Sequence, residues 1–218
     1  MGKNISAEYF WLDREIGRFK REGRLIPEDQ KKIYHLIGKN FCTEKRVVDV
    51  GCSCGVGSNY LSQYASYVLG IDVNKEAIKF SNEAFSRPGL EFAVLNIESP
   101  DTIIPSTSFD VIVMIEVLEH LGDYETGLHT FRKFFSRKSS TGFITVPNIN
   151  NEQVKIKDAM NELHLHHWTA KEFYDIISKY FQAVTMYSVE KLKKFAQEEI
   201  VDENTETGII IAKVEDLK

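Results

Sequence analysis

Apolar positions along the chain follow two alternating patterns, short β-branched runs and longer stretches with helical spacing. Val47, Val48 and Val50 predict a short buried strand. Gly51 turns the chain, and Gly55-Val56-Gly57-Ser58 opens a helix carrying Tyr60, Leu61 and Tyr64 at helical spacing. Residues 67–73 read as a second strand, 74–85 as a helix and 90–96 as a third strand, followed by a loop rich in Pro, Ser and Thr over 99–108. The most apolar run, 109–117, predicts a central strand; a helix over about 123–135 and a strand over 141–148 come next. Thr169 and Glu172 form a capping box at the start of a helix running to Tyr180, and strands at 183–189 and 208–214 close the pattern. This alternation implies an α/β fold, a doubly wound, mostly parallel sheet with helices on both faces.

Ahead of the first strand lies a lead, residues 1–45. Tyr9, Leu12, Ile16 and Phe19 repeat at helical spacing, while Phe10 and Trp11 fall off that stripe. Those two aromatics either pack on the sheet edge or line a substrate pocket as part of a lid. Arg14, Arg18, Lys20, Arg21 and Arg24 read as a solvated helix face. A helical lead or lid over 1–45 and a ligand-binding domain over 46–218 then make one globular domain overall.

Composition narrows the function classes. The chain has 218 residues, 43% of them hydrophobic, enough for a substantial core. No apolar run approaches the roughly 18 residues that span a bilayer, and the N-terminus has no apolar segment of signal-peptide type, so a cytoplasmic protein without a membrane span is expected. The formal net charge of −5 offers no overall attraction to nucleic acid. Three cysteines, Cys42, Cys52 and Cys54, lack the paired spacing of a zinc site and the even count of a disulfide framework. They read as small side chains, two of them in a tight turn.

The chemistry centres on VVDVGCSCGVGS, residues 47–58. Strand, glycine turn and helix present backbone N–H groups and a positive helix end to a ligand, and the glycines remove Cβ atoms that would hold it off. No lysine follows the glycines as a phosphate loop requires, and Tyr60 stands where a dinucleotide fingerprint has its third glycine. Asp49 repels pyrophosphate but suits a ligand with a positive amino group. Asp72, at the end of the second strand, is placed to accept the two hydroxyls of a ribose. S-adenosylmethionine meets both requirements.

With IDVN (71–74) and FDVIVMIEVLEHL (109–121) at these distances, the chain resembles the class I S-adenosylmethionine-dependent methyltransferases over about residues 45–190. The resemblance implies a seven-stranded sheet whose last strand runs antiparallel. It also implies cofactor contacts from Asp49, Gly51, Gly55 and Gly57 to the methionine and ribose portion. Asp72 would take the ribose hydroxyls, Val73 and the Asn96-Ile97 pair would meet the adenine, and Ile115 and Glu116 would pass beneath the methionine. Cys54 departs from the usual glycine or small hydroxyl residue at its position.

Acceptor chemistry rests on two clusters. Glu116, Glu119 and His120 stand at i, i+3 and i+4, neighbouring positions of one helical turn. His164, His166 and His167 fall just before the capped helix. In one reading His120, His166 or His167 faces a small-molecule, sugar or lipid hydroxyl as base or orienting group, without metal, as in relatives of the ubiquinone-pathway enzymes. The run also resembles the small-RNA 3′-terminal 2′-O-methyltransferases, with Val146-Pro147-Asn148 as the turn and His164 before Trp168-Thr169. That likeness implies Mg²⁺ or Mn²⁺ on Glu116, Glu119, His120 and His164, gripping a terminal ribose. A third possibility is a non-catalytic partner subunit that binds S-adenosylmethionine. Oligomeric state is open.

Overall fold

The computed structural model describes residues 26–104, 108–135, 139–188 and 208–215, and the chain divides into two compact units, 1–96 and 97–218. The apolar stripe of Tyr9, Leu12, Ile16 and Phe19, with Phe10, Trp11 and the basic cluster, lies outside the described residues.

In the first unit, helix α1 (Glu28–Phe41) buries Ile33, Tyr34, Ile37 and Gly38 on one face. The β-branched run becomes β1 (Arg46–Val50), with Val47, Val48 and Val50 buried. It pairs in parallel with β2 (Tyr67–Asp72), which pairs in parallel with β3 (Leu90–Val94). Helices α2 (Val56–Leu61) and α3 (Lys75–Phe85) connect them. Asn74 is not the first helical residue but the cap of α3, its side chain accepting from the N–H groups of Glu76 and Ala77, each at 3.0 Å. The sequence pattern carries β2 through Val73; the strand stops at Asp72, and Val73 is 60% exposed.

The second unit holds β4 (Val111–Ile115), every residue buried, then a short 3₁₀ turn at Leu118–His120 and helix α4 (Tyr124–Lys133). Asp123 caps α4, accepting from Thr126 N–H at 3.0 Å. Strand β5 (Thr141–Pro147) pairs with β4 in parallel. Helix α5 (Glu152–Ala159) precedes α6 (Ala170–Ile177), whose Thr169–Glu172 capping box forms as the sequence predicts. Strand β7 (Ile209–Glu215) runs antiparallel to both β5 and β6 (Ala183–Ser188), with Ile211 opposite Thr145 on one side and Tyr187 on the other. Phe131, Phe134, Phe143 and Phe173 fill the core of this unit. The strands follow the order β3-β2-β1-β4-β5-β7-β6, a mostly parallel seven-stranded sheet with its last strand antiparallel.

Helix α5 has no counterpart in the apolar pattern. Its sequence, EQVKIKDA, carries no apolar stripe, and its one buried residue is Asp158. Among the described residues no helix is long and apolar enough to cross a membrane. Cys42, Cys52 and Cys54 are buried, and among the described residues none is in a disulfide. Burial, with Asp49 nearby, pushes the Cys42 thiol up to about 12, so it stays neutral and a poor metal ligand.

Candidate functional site

The glycine loop of the first unit is built largely for itself. Gly51 and Gly55 take φ of 74° and 77°, the left-handed region open to glycine. Gly51 and Cys52 donate their N–H groups to the Ile71 carbonyl at 2.8 and 3.0 Å, and Gly55 donates to the Cys52 carbonyl at 2.9 Å. The Ser53 N–H donates to Asp72 Oδ2 at 2.8 Å. The sequence reading has the loop's N–H groups aimed at a ligand; these four are bonded within the protein instead, because a tight turn must re-pair its own donors. The missing Cβ atoms also serve internal packing. A Cβ on Gly57 would lie 2.1 Å from the Tyr34 ring, and one on Gly55 would lie 2.7 Å from Phe92 and 2.8 Å from the Ser81 hydroxyl.

Two acids anchor this unit. Asp49 is wholly buried and accepts from the Tyr34 hydroxyl at 3.2 Å and the Ser58 hydroxyl at 2.6 Å. Burial raises its carboxyl to about 7, against the lowering effect of those two hydroxyls, with the charge of Asp72 adding to the rise. Asp72 accepts from Ser53 N–H on one oxygen and from Asn74 N–H on the other, both at 2.8 Å. Burial raises its carboxyl too, while the surrounding backbone N–H groups hold it down. Asp72 ends β2 in register with Val94 of β3, so Asp72, Val73 and the exposed Asn96 lie at the same C-terminal edge of the strands.

The second unit carries a different arrangement. Ile97 and Ile115 are buried. Glu116 follows β4 with φ of 55°, a left-handed backbone unusual outside glycine. Thr145 holds it there: the Glu116 N–H donates to Thr145 Oγ1, and that hydroxyl donates to Glu116 Oε1, both at 2.9 Å. The spacing reading places Glu116, Glu119 and His120 on one helical turn. The left-handed step at Glu116 breaks that turn, and only Glu119 and His120 lie on the 3₁₀ segment.

Glu119 is 1% exposed, and among the described residues neither of its carboxylate oxygens has a hydrogen-bond partner. Burial drives its carboxyl well above the usual range, and the charges of Glu116 and Asp158 push the same way. His120 Nε2 stands 3.9 Å from Glu119 Oε1, and its Nδ1 bonds the Leu163 carbonyl at 2.8 Å. A carbonyl only accepts, so Nδ1 carries the proton and the lone pair falls on Nε2. The His164 ring packs edge-on against His120 at 4.6 Å, and its Nδ1 bonds Asp158 Oδ1. One ligand atom each from Glu119, His120 and His164 lies within 4.8 Å of the others. Mixed oxygen and nitrogen donors of this kind suit Mn²⁺ or Mg²⁺, and a buried carboxylate without partners calls for a counter-charge.

The remaining histidines differ in their surroundings. His166 Nε2 bonds the Leu121 carbonyl at 2.9 Å, and its ring stacks on Trp168 at 5.2 Å with an interplanar angle of 7°. His167 Nδ1 bonds Asp158 Oδ2, and its side chain is 40% exposed. The segment bearing them is tied to the 3₁₀ turn, since Leu165 and His166 both donate N–H groups to the Glu119 carbonyl, at 2.8 and 3.2 Å. The structure thus brings Glu119, His120 and His164 together and engages the Glu116 carboxylate with Thr145. Sequence reasoning missed Tyr34, Ser58, Thr145 and Asp158. Of these, Ser58 lies inside the 47–58 motif, and Asp158 had Asn151 nearby as a helix cap ahead of an unpatterned stretch.

Comparison with known proteins agrees with this architecture. A family model described as a methyltransferase domain matches residues 48–137. The ubiquinone biosynthesis O-methyltransferase of Histophilus somni is 32% identical over 118 residues, 52% of this chain and 48% of that protein. The chain spans about half the length of the curated relatives it matches. Among solved structures, a methyltransferase in complex with the Trm112 activator of Haloferax volcanii superposes with a TM-score of 0.70 at 16% identity, over 96% of each chain. A TehB-like methyltransferase from Corynebacterium glutamicum gives 0.64 at 17% identity, over 98% of this chain and 100% of that one. Residues 48–137 thus match a methyltransferase domain, and the chain shares the fold of these solved methyltransferases. In sequence, it is similar to ubiquinone biosynthesis O-methyltransferases over about half of its length.

Proposed function

We propose that the protein is an S-adenosylmethionine-dependent O-methyltransferase, and that its acceptor is a small molecule with two neighbouring hydroxyls, held by a divalent cation at Glu119, His120 and His164. The observation that carries this reading is Glu119, buried with two unpartnered oxygens beside two imidazoles. The fold and the O-methyltransferase relatives support the cofactor and the hydroxyl acceptor. A net charge of −5 gives no overall attraction to a phosphate backbone, which favours a small acceptor over RNA.

The cofactor supplies a methyl group on a cationic sulfonium, and a bound cation would supply positive charge to orient the hydroxyls and favour the developing alkoxide. The chain's own residues do the rest. Asp72, its carboxylate oriented by Ser53 and Asn74, accepts the ribose hydroxyls. Glu119, His120 and His164 position the acceptor. His167 Nε2 takes the hydroxyl proton, since Nδ1 is engaged by Asp158 and the side chain is open to solvent. His166, committed to Leu121 and Trp168, is structural.

The test is S-adenosylhomocysteine release with catechols, other vicinal diols, monohydroxyl analogues and an RNA 3′ end. Turnover on vicinal diols, lost in EDTA and restored by Mn²⁺ or Mg²⁺, is the expected result. Undiminished turnover in EDTA would overturn the cation reading. Preference for the RNA end would keep the cation and change the acceptor class. No release with any acceptor points to a non-catalytic subunit.

A further inference from the structure

We infer that Asp158 is the positioning residue of the histidine cluster: one buried carboxylate holds His164 by one oxygen and His167 by the other, and so fixes the lone pair of both rings on Nε2. Its effect on cation affinity rests on the proposed function above, whereas the tautomers do not.

Helix α5 makes the case. Asp158 is its one buried side chain, while Ile156 is 56% exposed and Met160, the cap at its C-terminal end, 79%. A helix that turns its apolar residues to solvent and its acid inward has no packing reason for that acid. The burial is explained by the two imidazoles. A carboxylate is acceptor-only when ionised, so each Nδ1 facing it must bear the hydrogen. Carboxylate–histidine pairs of this geometry orient metal-binding imidazoles and raise their basicity. Here one carboxylate serves two rings, so the ring proposed to bind the cation and the ring proposed to take the proton share a single support. The docking of α5 and the tautomers of both histidines are therefore one event.

Long-range ¹H–¹⁵N NMR of the metal-free full chain, above the imidazole titration range, reads the tautomers directly. His164 and His167 are both expected as Nδ1–H; an Nε2–H pattern at either overturns the inference. Asp158→Asn offers one acceptor and one donor, so one of the two rings should switch to Nε2–H; retention of both patterns would show that another group sets them. Titration with Mn²⁺ gives the second readout. Asp158→Ala should weaken binding about 10–100-fold, the usual range for loss of an outer carboxylate. Unchanged affinity removes the positioning role. If the unsubstituted protein takes up no Mn²⁺, the cation reading fails, and the tautomers alone decide the role of Asp158. The same holds if the variants do not fold, since the first measurement needs none.

Discussion

The acids of the two units are buried to similar depth and treated in opposite ways. Asp49 and Asp72 each receive two donors from hydroxyl or backbone groups. Among the described residues Glu119 receives none on its side chain. Burying a carboxylate is costly unless donors or a counter-charge compensate. The first unit compensates with donors from its own chain. The second unit leaves Glu119 without that compensation among the described residues, and the proposed cation is what would supply it. The contrast separates acids that the chain itself provides with donors from one that it leaves without any among the described residues.

The largest effect should come from removing the unsatisfied acid. Glu119→Gln is expected to cut methyl transfer about 10³-fold, the order of a cation's contribution to charge stabilisation, and to abolish Mn²⁺ uptake. Affinity for S-adenosylhomocysteine, measured by calorimetry, should stay within about twofold if the cluster's charge acts only on the acceptor. Loss of both would erase the distinction between the two regions.

The next test uses pH. Asp49 has a folded value of about 7 against an ordinary 3.8. A carboxyl raised on folding contributes stability that is complete below the unfolded value and is lost as pH climbs through the folded one. The shift corresponds to about 4 kcal/mol, lost between roughly pH 4 and 7 and level above. Urea unfolding of the unsubstituted protein and Asp49→Asn should diverge by that order across this window, the variant being flatter. Parallel curves would mean that the two hydroxyls keep Asp49 ionised at its ordinary value.

A packing test follows. Gly57→Ala places a methyl against the Tyr34 ring, so the ring must move and its bond to Asp49 is strained. A loss of about 1–3 kcal/mol in unfolding free energy is expected, as for other overpacked sites. A neutral outcome would return the glycine to a purely ligand-facing role. The smallest effect belongs to Thr145→Val, which strips the hydroxyl from the Glu116 N–H and carboxylate. About 1 kcal/mol should be lost by the same measurement, and no loss would show that the left-handed Glu116 is held by other contacts.

These contrasts were unevenly visible in the chain. Strands β1 and β4 follow from β-branched and apolar runs alone, because burial on both faces demands continuous hydrophobicity. The place of Asp72 at the end of β2 was legible from the apolar run before it. The capping box at Thr169 was legible because its bonds are local. Pairing through space was not. Tyr34 reaches Asp49 from another element, and nothing in its own neighbourhood marks it. Glycines that look ligand-facing in sequence meet Tyr34 and Phe92 once folded. The approach of His120 to His164 came from a family likeness rather than from spacing. Helix α5 lacked the periodicity that reveals a helix, and Asp158 was missed with it.

The placing of β7 bears on how the chain is made. It pairs with β5 on one side and β6 on the other, yet both are translated before it. A nascent chain that has just produced β6 therefore exposes the edge of β5, with an open row of backbone donors and acceptors and no permanent neighbour. Val146 and Ile144, buried in the finished sheet, sit on that edge. Such edges recruit strands from other chains. The second unit is thus vulnerable during synthesis until its latest strand slots into a gap between earlier ones, and a chain stopped short of Ile209 should be found in aggregates or on chaperones.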